Sequence, residues 1–413
     1  MKGICVLCGD LYGEVRLRVA YICTDPGVPV FGNKASSVHL QEFVRALLDL
    51  DAEVHLFLAV IGGEIPTEFS AVQIHQLPRL PKGDRANREK AAITANQRIP
   101  ALIASYGSFD LYYERYSLWS FASMEFARSC GRPAILEVNA PLIEEQSESR
   151  KLVHRDAAKK ATQRAFDAAT AVIAVSREIA DYVCGFDRTR GRVHVVPNGV
   201  NPMRFPHGVE LSLPYPAGSF VIGILGALNS RHDTDGLVRA FSLVHAQDSN
   251  ARLLVVGDGP RKKAMQSALS EFGLLNAAHF TGAVPPREVP SLLACMDVAV
   301  VPYDERARDY FSPLKLFECM AADLPVVAAA KGQIKDVIRD EENGLLYPPG
   351  DAYVMAKKIL RLRQDPDLRS RLGQAARITV LRDYTWSGVV RRILQVSGIK
   401  TAREFGRQPA ASI

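Results

Sequence analysis

An alternation constrains this chain more than any single motif. Short apolar runs rich in Val, Ile and Leu recur almost from end to end, each followed by a stretch with helical periodicity. Strands of a parallel sheet read this way because crossover helices cover both faces, so no polar face alternates with the apolar one. In the first half the runs are LRVAYIC (17–23), AEVHLFLA (52–59), DLYYER (110–115), PAILEV (133–138), AVIAVS (171–176) and VHVVPN (193–198). The second half restarts with FVIGILG (220–226), ARLLVVG (251–257), AHFTGAV (278–284), VAVVPY (298–303), LPVVAA (324–329) and GLLYPP (344–349). The fold class is α/β, and 413 residues exceed what one core usually organises, so two parallel-sheet domains follow.

The periodic pattern lapses between the halves, in the Pro- and Gly-rich GVNPMRFPHGVELSLPYPAGS. We therefore expect a first domain over 1–205 and a second over 206–385. A last helix over about 386–400 follows DYTW and could pack on either domain, and 401–413 read as a tail.

Composition excludes several classes. No apolar stretch is long enough to span a bilayer, and the N-terminal apolar patch is broken by Asp10, Glu14, Arg16 and Arg18, unlike a secretory signal. Seven scattered cysteines suit a reducing compartment, so a cytoplasmic location is expected, with the inner face of the membrane as a variant of it. Cys5 and Cys8 form a lone C-x-x-C with no second pair at zinc spacing, and no metal is expected. The net charge of +6 is well mixed, which argues against nucleic acid as a partner. Between Arg150 and Arg164 the cations Lys151, Arg155 and Lys159 recur at helical spacing, as on a solvated helix face or a surface for anionic lipid.

Ligands of open parallel sheets bind outside the carboxyl ends of the strands, so the loops after strands carry the interest. After the first strand, Gly32 and Asn33 enter a helix whose amides would face an anion. His39, one turn in, reads as a packing residue. After FVIGILG come Arg231 and His232, two groups suited to a diphosphate, and Gly257 sits in a similar turn after ARLLVVG.

DYFSPLKLFECMA (309–321) is richer. Ser312 reads as a helix N-cap and Pro313 as the first helical residue, leaving the amides of Leu314 and Lys315 open and adding the Lys315 charge. Glu318 falls on the face a helix normally buries, which is costly unless it accepts hydrogen bonds, as from the vicinal hydroxyls of a ribose. The alternative is an ion pair with a nearby lysine or arginine.

VVPNGVN (195–201), VVGDGP (255–260), FTGAV (280–284), MDVAVVPY (296–303), FSPLKLFECMAADLPVVA (311–328) and NGLLYPPGD (343–351), in this order, resemble the retaining family 4 glycosyltransferases of the GT-B fold. YERYSLW (113–119) and EVNAPL (137–142) resemble segments of one bacterial branch with the SPLKLFE motif. The resemblance implies two Rossmann-like domains facing across a cleft, with a nucleotide-sugar donor (UDP- or GDP-sugar class) on the second and a carbohydrate or glycolipid acceptor on the first. It implies retention of anomeric configuration, no cofactor, no metal, and a terminal helix that crosses back to the first domain. By position Glu318 matches the ribose-holding glutamate of the E-x-x-x-x-x-x-x-E motif. Pro313, Leu314 and Lys315 match the diphosphate-binding helix start, Val284 the nucleobase loop, and Gly32 the loop approaching the phosphates.

The departures are specific. The motif's first glutamate falls on Tyr310, with Asp309 one residue earlier, so the contact to the sugar's hydroxyls is altered or supplied by a neighbour. The family's phosphate clamp falls on Ala227 and His232, which leaves Arg231 and Lys315 to compensate. The family's N-domain histidine is replaced near Asn139, and Asp323 stands where glycine is usual. The catalytic set expected is thus Lys315, Arg231, Glu318 and Asn139, with Glu114, Arg115, Glu137 and Asn139 on the acceptor side because they close first-domain strands. Tyr310 and Ala227 also fit a GT-B binding protein that has lost activity; the acid and base carboxylates of a GT-B sugar-nucleotide epimerase are not evident.

Overall fold

The computed structural model describes residues 16–206 and 215–399. The Cys5–Cys8 pair, part of the linker and the 401–413 tail lie outside these. In the first domain β1 (Arg18–Cys23), β2 (Glu53–Leu58), β3 (Gln73–Gln76), β4 (Leu111–Arg115), β5 (Ala134–Val138), β6 (Ala171–Ala174) and β7 (Val193–Val195) form one parallel sheet, ordered β3-β2-β1-β4-β5-β6-β7. In the second β8 (Phe220–Leu225), β9 (Ala251–Val256), β10 (Ala278–Gly282), β11 (Val298–Val301), β12 (Val326–Ala329) and β13 (Leu345–Tyr347) follow the order β10-β9-β8-β11-β12-β13. All of β8 and all of β1 after Arg18 are buried, which is why these segments lack alternation.

The topology fixes where a ligand can go. β1 pairs with β2 on one side and β4 on the other, and β8 likewise lies between β9 and β11. Loops leaving the carboxyl ends of such neighbours diverge to opposite faces and open a crevice. Each domain has one.

β3 (Gln-Ile-His-Gln) has no apolar run, because as the sheet's edge strand it buries only His75. His75 Nε2 lies 3.0 Å from His55 Nδ1 of β2, and their rings stack.

The Trp386–Val396 helix, capped by Thr385 accepting from the Gly388 amide at 3.1 Å, packs on the first domain. Trp386, Val390 and Ile393 join the core that holds Phe43, Val44 and Tyr113, and the Trp386 ring stands edge-on to His39 at 4.8 Å. Burying each such side chain contributes about 2 kcal/mol. The outgoing and returning connections cross in contact: the Val200 amide donates to Tyr384 O at 2.8 Å and the Trp386 amide to Val200 O at 3.2 Å. A Cβ on Gly199 would lie 2.7 Å from the Trp386 nitrogen, so glycine is what lets the two connections run this close.

Candidate active site

The two crevices face each other across a cleft of about 910 Å³. From the first domain come Asp25 and Gly27 after β1, Ala35, Ser36 and His39 of the Ala35–Leu48 helix, Arg115 at the end of β4, and Asn139 after β5. Glu145 of the Leu142–Arg150 helix stands on the same wall. From the second come Ser230 and Arg231 after β8, and the loop after β11 with Tyr310, Ser312 and Leu314. Gly32 and Asn33 sit outside this lining; the Gly32 amide is spent on Pro29 O at 3.0 Å, and the residues around Gly27 and Ala35 reach the cleft instead.

The helix of the second domain starts one residue later than its Ser-Pro start implies. It spans Leu314–Ala321, with Pro313 at the cap position and no side-chain cap. Ser312 is drawn away: its hydroxyl donates to Gln333 Oε1 at 2.8 Å and accepts from the Asn198 amide at 3.2 Å, tying the two domains. The Leu314 amide is not open either, since it donates to Ser312 O at 2.9 Å. That leaves the Lys315 ammonium as the charge at this helix start. Its Nζ lies 2.8 Å from Glu318 Oε2, and Glu318 Oε1 is 3.6 Å from Arg204. Arg204 also lies 3.6 Å from Glu42 of the first domain and was not expected from sequence; a single linker arginine carries no signal of its own. Glu318 is buried, and both it and Lys315 sit outside the cleft lining, which Leu314 reaches.

Lys315 converges with His232. A Cβ placed on Gly226, the residue after β8, would stand 3.6 Å from Lys315 Cγ and 3.8 Å from His232 Nε2. His232 is no cation: burial, then Arg231, lower its pKa to about 4, so the ring is neutral at pH 7 and stacks on Tyr303. Gly257 does not present open backbone, because a Cβ there would meet Gly226 O at 2.0 Å. Val284 packs at the edge of the second core.

On the first-domain wall, residues that the strand-end rule groups together differ in burial, Glu114 by pleat direction and Glu137 by its depth beneath His39 and Arg115. Arg115 and Asn139 line the cleft, but Glu114 and Glu137 lie inside β4 and β5 and are fully buried. Glu137 meets His39 Nε2 at 2.9 Å, with Arg115 Nη1 at 3.7 Å. Burial alone would raise its pKa; His39, then Arg115 and Asn139, hold it down to about 2. The histidine that reads as packing is thus also the main partner of a buried carboxylate. Arg115 Nη1 and Asn139 Nδ2 are buried and both turn toward the Glu137 carboxylate without closing a full hydrogen bond to it.

Glu114 accepts from the Ser123 hydroxyl, while its Oε1 has no hydrogen bond and burial raises its pKa to about 7. A carboxyl whose folded pKa lies above its ordinary 4.5 favours the folded state while protonated. That contribution is complete below the ordinary value and is lost as pH rises towards 7. Wild type should therefore lose about 2 kcal/mol from this group between about pH 5 and 8, and Glu114→Gln should remove most of that slope. Urea unfolding at both pH values is the check; parallel losses in the two proteins would refute it.

The walls are tied through one helix. Glu145 Oε1 accepts from the Tyr310 hydroxyl and lies 3.3 Å from Arg231 Nη2, and Glu148 binds Arg308. The Arg231 guanidinium stands 5.8 Å over the Tyr310 ring. Burial, then Glu145, push the Tyr310 phenol pKa up. Asp309 turns away to Lys331 at 3.0 Å. Among the described residues no cluster of His, Cys, Asp and Glu could hold a metal ion, and no helix is long and apolar enough to cross a membrane.

Two Rossmann-like domains opening on a polar cleft define a GT-B fold, and comparison with known proteins agrees. Residues 36–204 match the family described as Glycosyltransferase Family 4, and residues 219–365 that of Glycosyl transferases group 1. The chain therefore carries both domains of a GT-B glycosyltransferase. A D-inositol 3-phosphate glycosyltransferase of Salinispora arenicola is 24% identical over 393 residues, covering 88% of this chain and 86% of its own. The 2-deoxystreptamine glucosyltransferase of Streptomyces kanamyceticus is 30% identical over 184 residues, 42% of this chain and 46% of its own. Among solved structures, sucrose-phosphate synthase of Thermosynechococcus elongatus shares the fold with a TM-score of 0.69 at 19% identity, over 95% of this chain and 100% of that one. Anabaena HepE, in complex with UDP and glucose, does so with a TM-score of 0.67 at 17% identity, over 93% and 100%.

Proposed function

We propose that this glycosyltransferase moves a sugar from a UDP- or GDP-sugar donor to a hydroxyl of a glycan, glycolipid or small metabolite, with retention of anomeric configuration and without a metal. The observation that carries this reading is the opposition across the cleft. Arg231 stands at the β8–β11 crevice, with Lys315 in the first turn of the helix that follows β11, across from Arg115 and Asn139 at the ends of β4 and β5.

As the glycosidic bond to the donor breaks, the leaving diphosphate gains negative charge and the sugar becomes oxocarbenium-like. Cations and amides fixed in advance at that phosphate lower the barrier, each key donor by about 3 kcal/mol. Arg231 and Lys315 supply charge, and neutral His232 can offer only a hydrogen bond. Glu318 takes the ribose hydroxyls by exchanging its present partners Lys315 and Arg204 for them. The departing phosphate accepts the proton of the attacking hydroxyl, so no separate base is required. Arg115 and Asn139 orient the acceptor from the opposite wall. The exposed cations Lys151, Arg155 and Lys159 would suit a peripheral contact with an anionic surface.

A panel of nucleotide sugars tests the reading. The true donor, at about a hundred times its Kd, should raise the melting temperature by about 5 °C and turn over with its anomeric configuration kept. Binding without turnover would instead make the chain an impaired binding protein, and an epimerised product would make it an epimerase.

A further inference from the structure

One carboxylate on the first-domain wall takes partners that belong to the other domain. Glu145 accepts the Tyr310 hydroxyl and lies 3.3 Å from the Arg231 guanidinium. Its side chain is 28% exposed, open to a ligand in the cleft. Glu148 makes a similar crossing to Arg308 further along the wall, while Asp304 takes the Arg306 amide at 2.8 Å and Asp25 the Gly27 amide at 2.7 Å within their own loops.

A sugar joined to a diphosphate begins one P–O–C link from the phosphorus. A diphosphate on Arg231 therefore brings sugar hydroxyls within reach of whatever stands beside Arg231, and Glu145 and Tyr310 stand there. The arriving anion competes with Glu145 for the guanidinium and repels it as a like charge. The sugar meanwhile offers replacement donors: a carboxylate can accept two hydroxyls, and the phenol both donates and accepts. We infer that Glu145, held by Tyr310, reads the hydroxyls of the donor's sugar from the opposite wall, so that closing the cleft and recognising the sugar are one contact. This rests on the donor assignment to Arg231 made above.

The test compares wild type with Glu145→Gln on the donor that wild type turns over, on its epimers at single hydroxyls, and on the nucleoside diphosphate alone by calorimetry. The amide keeps the shape but loses the charge that strengthens hydroxyl binding. We expect kcat/KM for the preferred donor to fall about 30-fold and discrimination against epimers to shrink. Affinity for the sugar-free diphosphate should hold within about twofold or tighten, since Arg231 is released. Tyr310→Phe, which keeps the carboxylate but removes its phenolic donor, should lose part of the same discrimination. Unchanged epimer discrimination in Glu145→Gln overturns the inference, whether kcat/KM stays level or rises; a rise would make Glu145 a latch that holds the walls together. Wild type that turns over no nucleotide sugar sinks the transferase reading and this one with it.

Discussion

Replacing Lys315 by alanine is expected to lower kcat/KM for the donor by about 100- to 1,000-fold while lowering stability by only about 2 kcal/mol. The side chain stands in the first turn of the Leu314–Ala321 helix, where the helix dipole and its own charge both favour an anion. With the Ser312 hydroxyl and the Leu314 amide already spent, the Lys315 side chain supplies the full charge at this helix start that answers the leaving diphosphate. The present Lys315–Glu318 pair is one-third exposed on the lysine side but buried on the carboxylate side, so its loss leaves Glu318 with Arg204 at 3.6 Å and costs about 2 kcal/mol. The loss should grow with phosphate charge. Affinity for a nucleoside diphosphate should fall severalfold more than affinity for the monophosphate, and Lys315→Arg should recover part of it. Turnover by Lys315→Ala within a few-fold of wild type would remove this residue from the mechanism.

Gly257→Ala should destabilise the second domain by roughly 3 kcal/mol or more. Two independent costs meet there. The residue has φ +136°, which a side chain rarely adopts, and a Cβ would lie 2.0 Å from Gly226 O, a backbone atom that cannot swing aside. Gly131 separates the two: it has φ +63° with nothing near the added carbon, so Gly131→Ala should cost only about 1 kcal/mol. Urea unfolding followed by far-UV circular dichroism is the appropriate readout, because both tryptophans, Trp119 and Trp386, pack in the first domain. Equal midpoints for the two variants would show that the close approach at Gly257 relaxes at little cost. The same approach brings the ends of β8 and β9 together beneath Lys315 and His232, so a variant that folds should still lose turnover.

The sheets were legible because burial on both faces writes itself as continuous apolar runs, as in FVIGIL of β8. β3 was not, since an edge strand that buries one histidine has no run to read. In the candidate site, sequence nominates positions such as Arg231 and Lys315, but not what those side chains touch. Ser312 has every local qualification for a cap, and what diverts it is Gln333, 21 residues on. Glu114 and Arg115 are adjacent in sequence and face opposite sides of one strand, a matter of pleat phase that a buried strand's composition does not reveal. Glu145 lay in LIEEQSES, an acidic stretch whose significance exists only once a second domain stands 3.3 Å away.

The crossing at Gly199 makes the first domain discontinuous in the chain. Its core requires Trp386, Val390 and Ile393, which lie beyond the whole of the second sheet. On the ribosome, residues emerge in order, so the second domain has all of its strands before the first has its last helix. Until then His39 and Phe43 of the Ala35–Leu48 helix have the sheet beneath them but lack the Trp386 ring. The first domain is therefore the one that finishes folding last, and the floor of the cleft, where His39 meets both Glu137 and Trp386, is completed only after the second sheet has emerged.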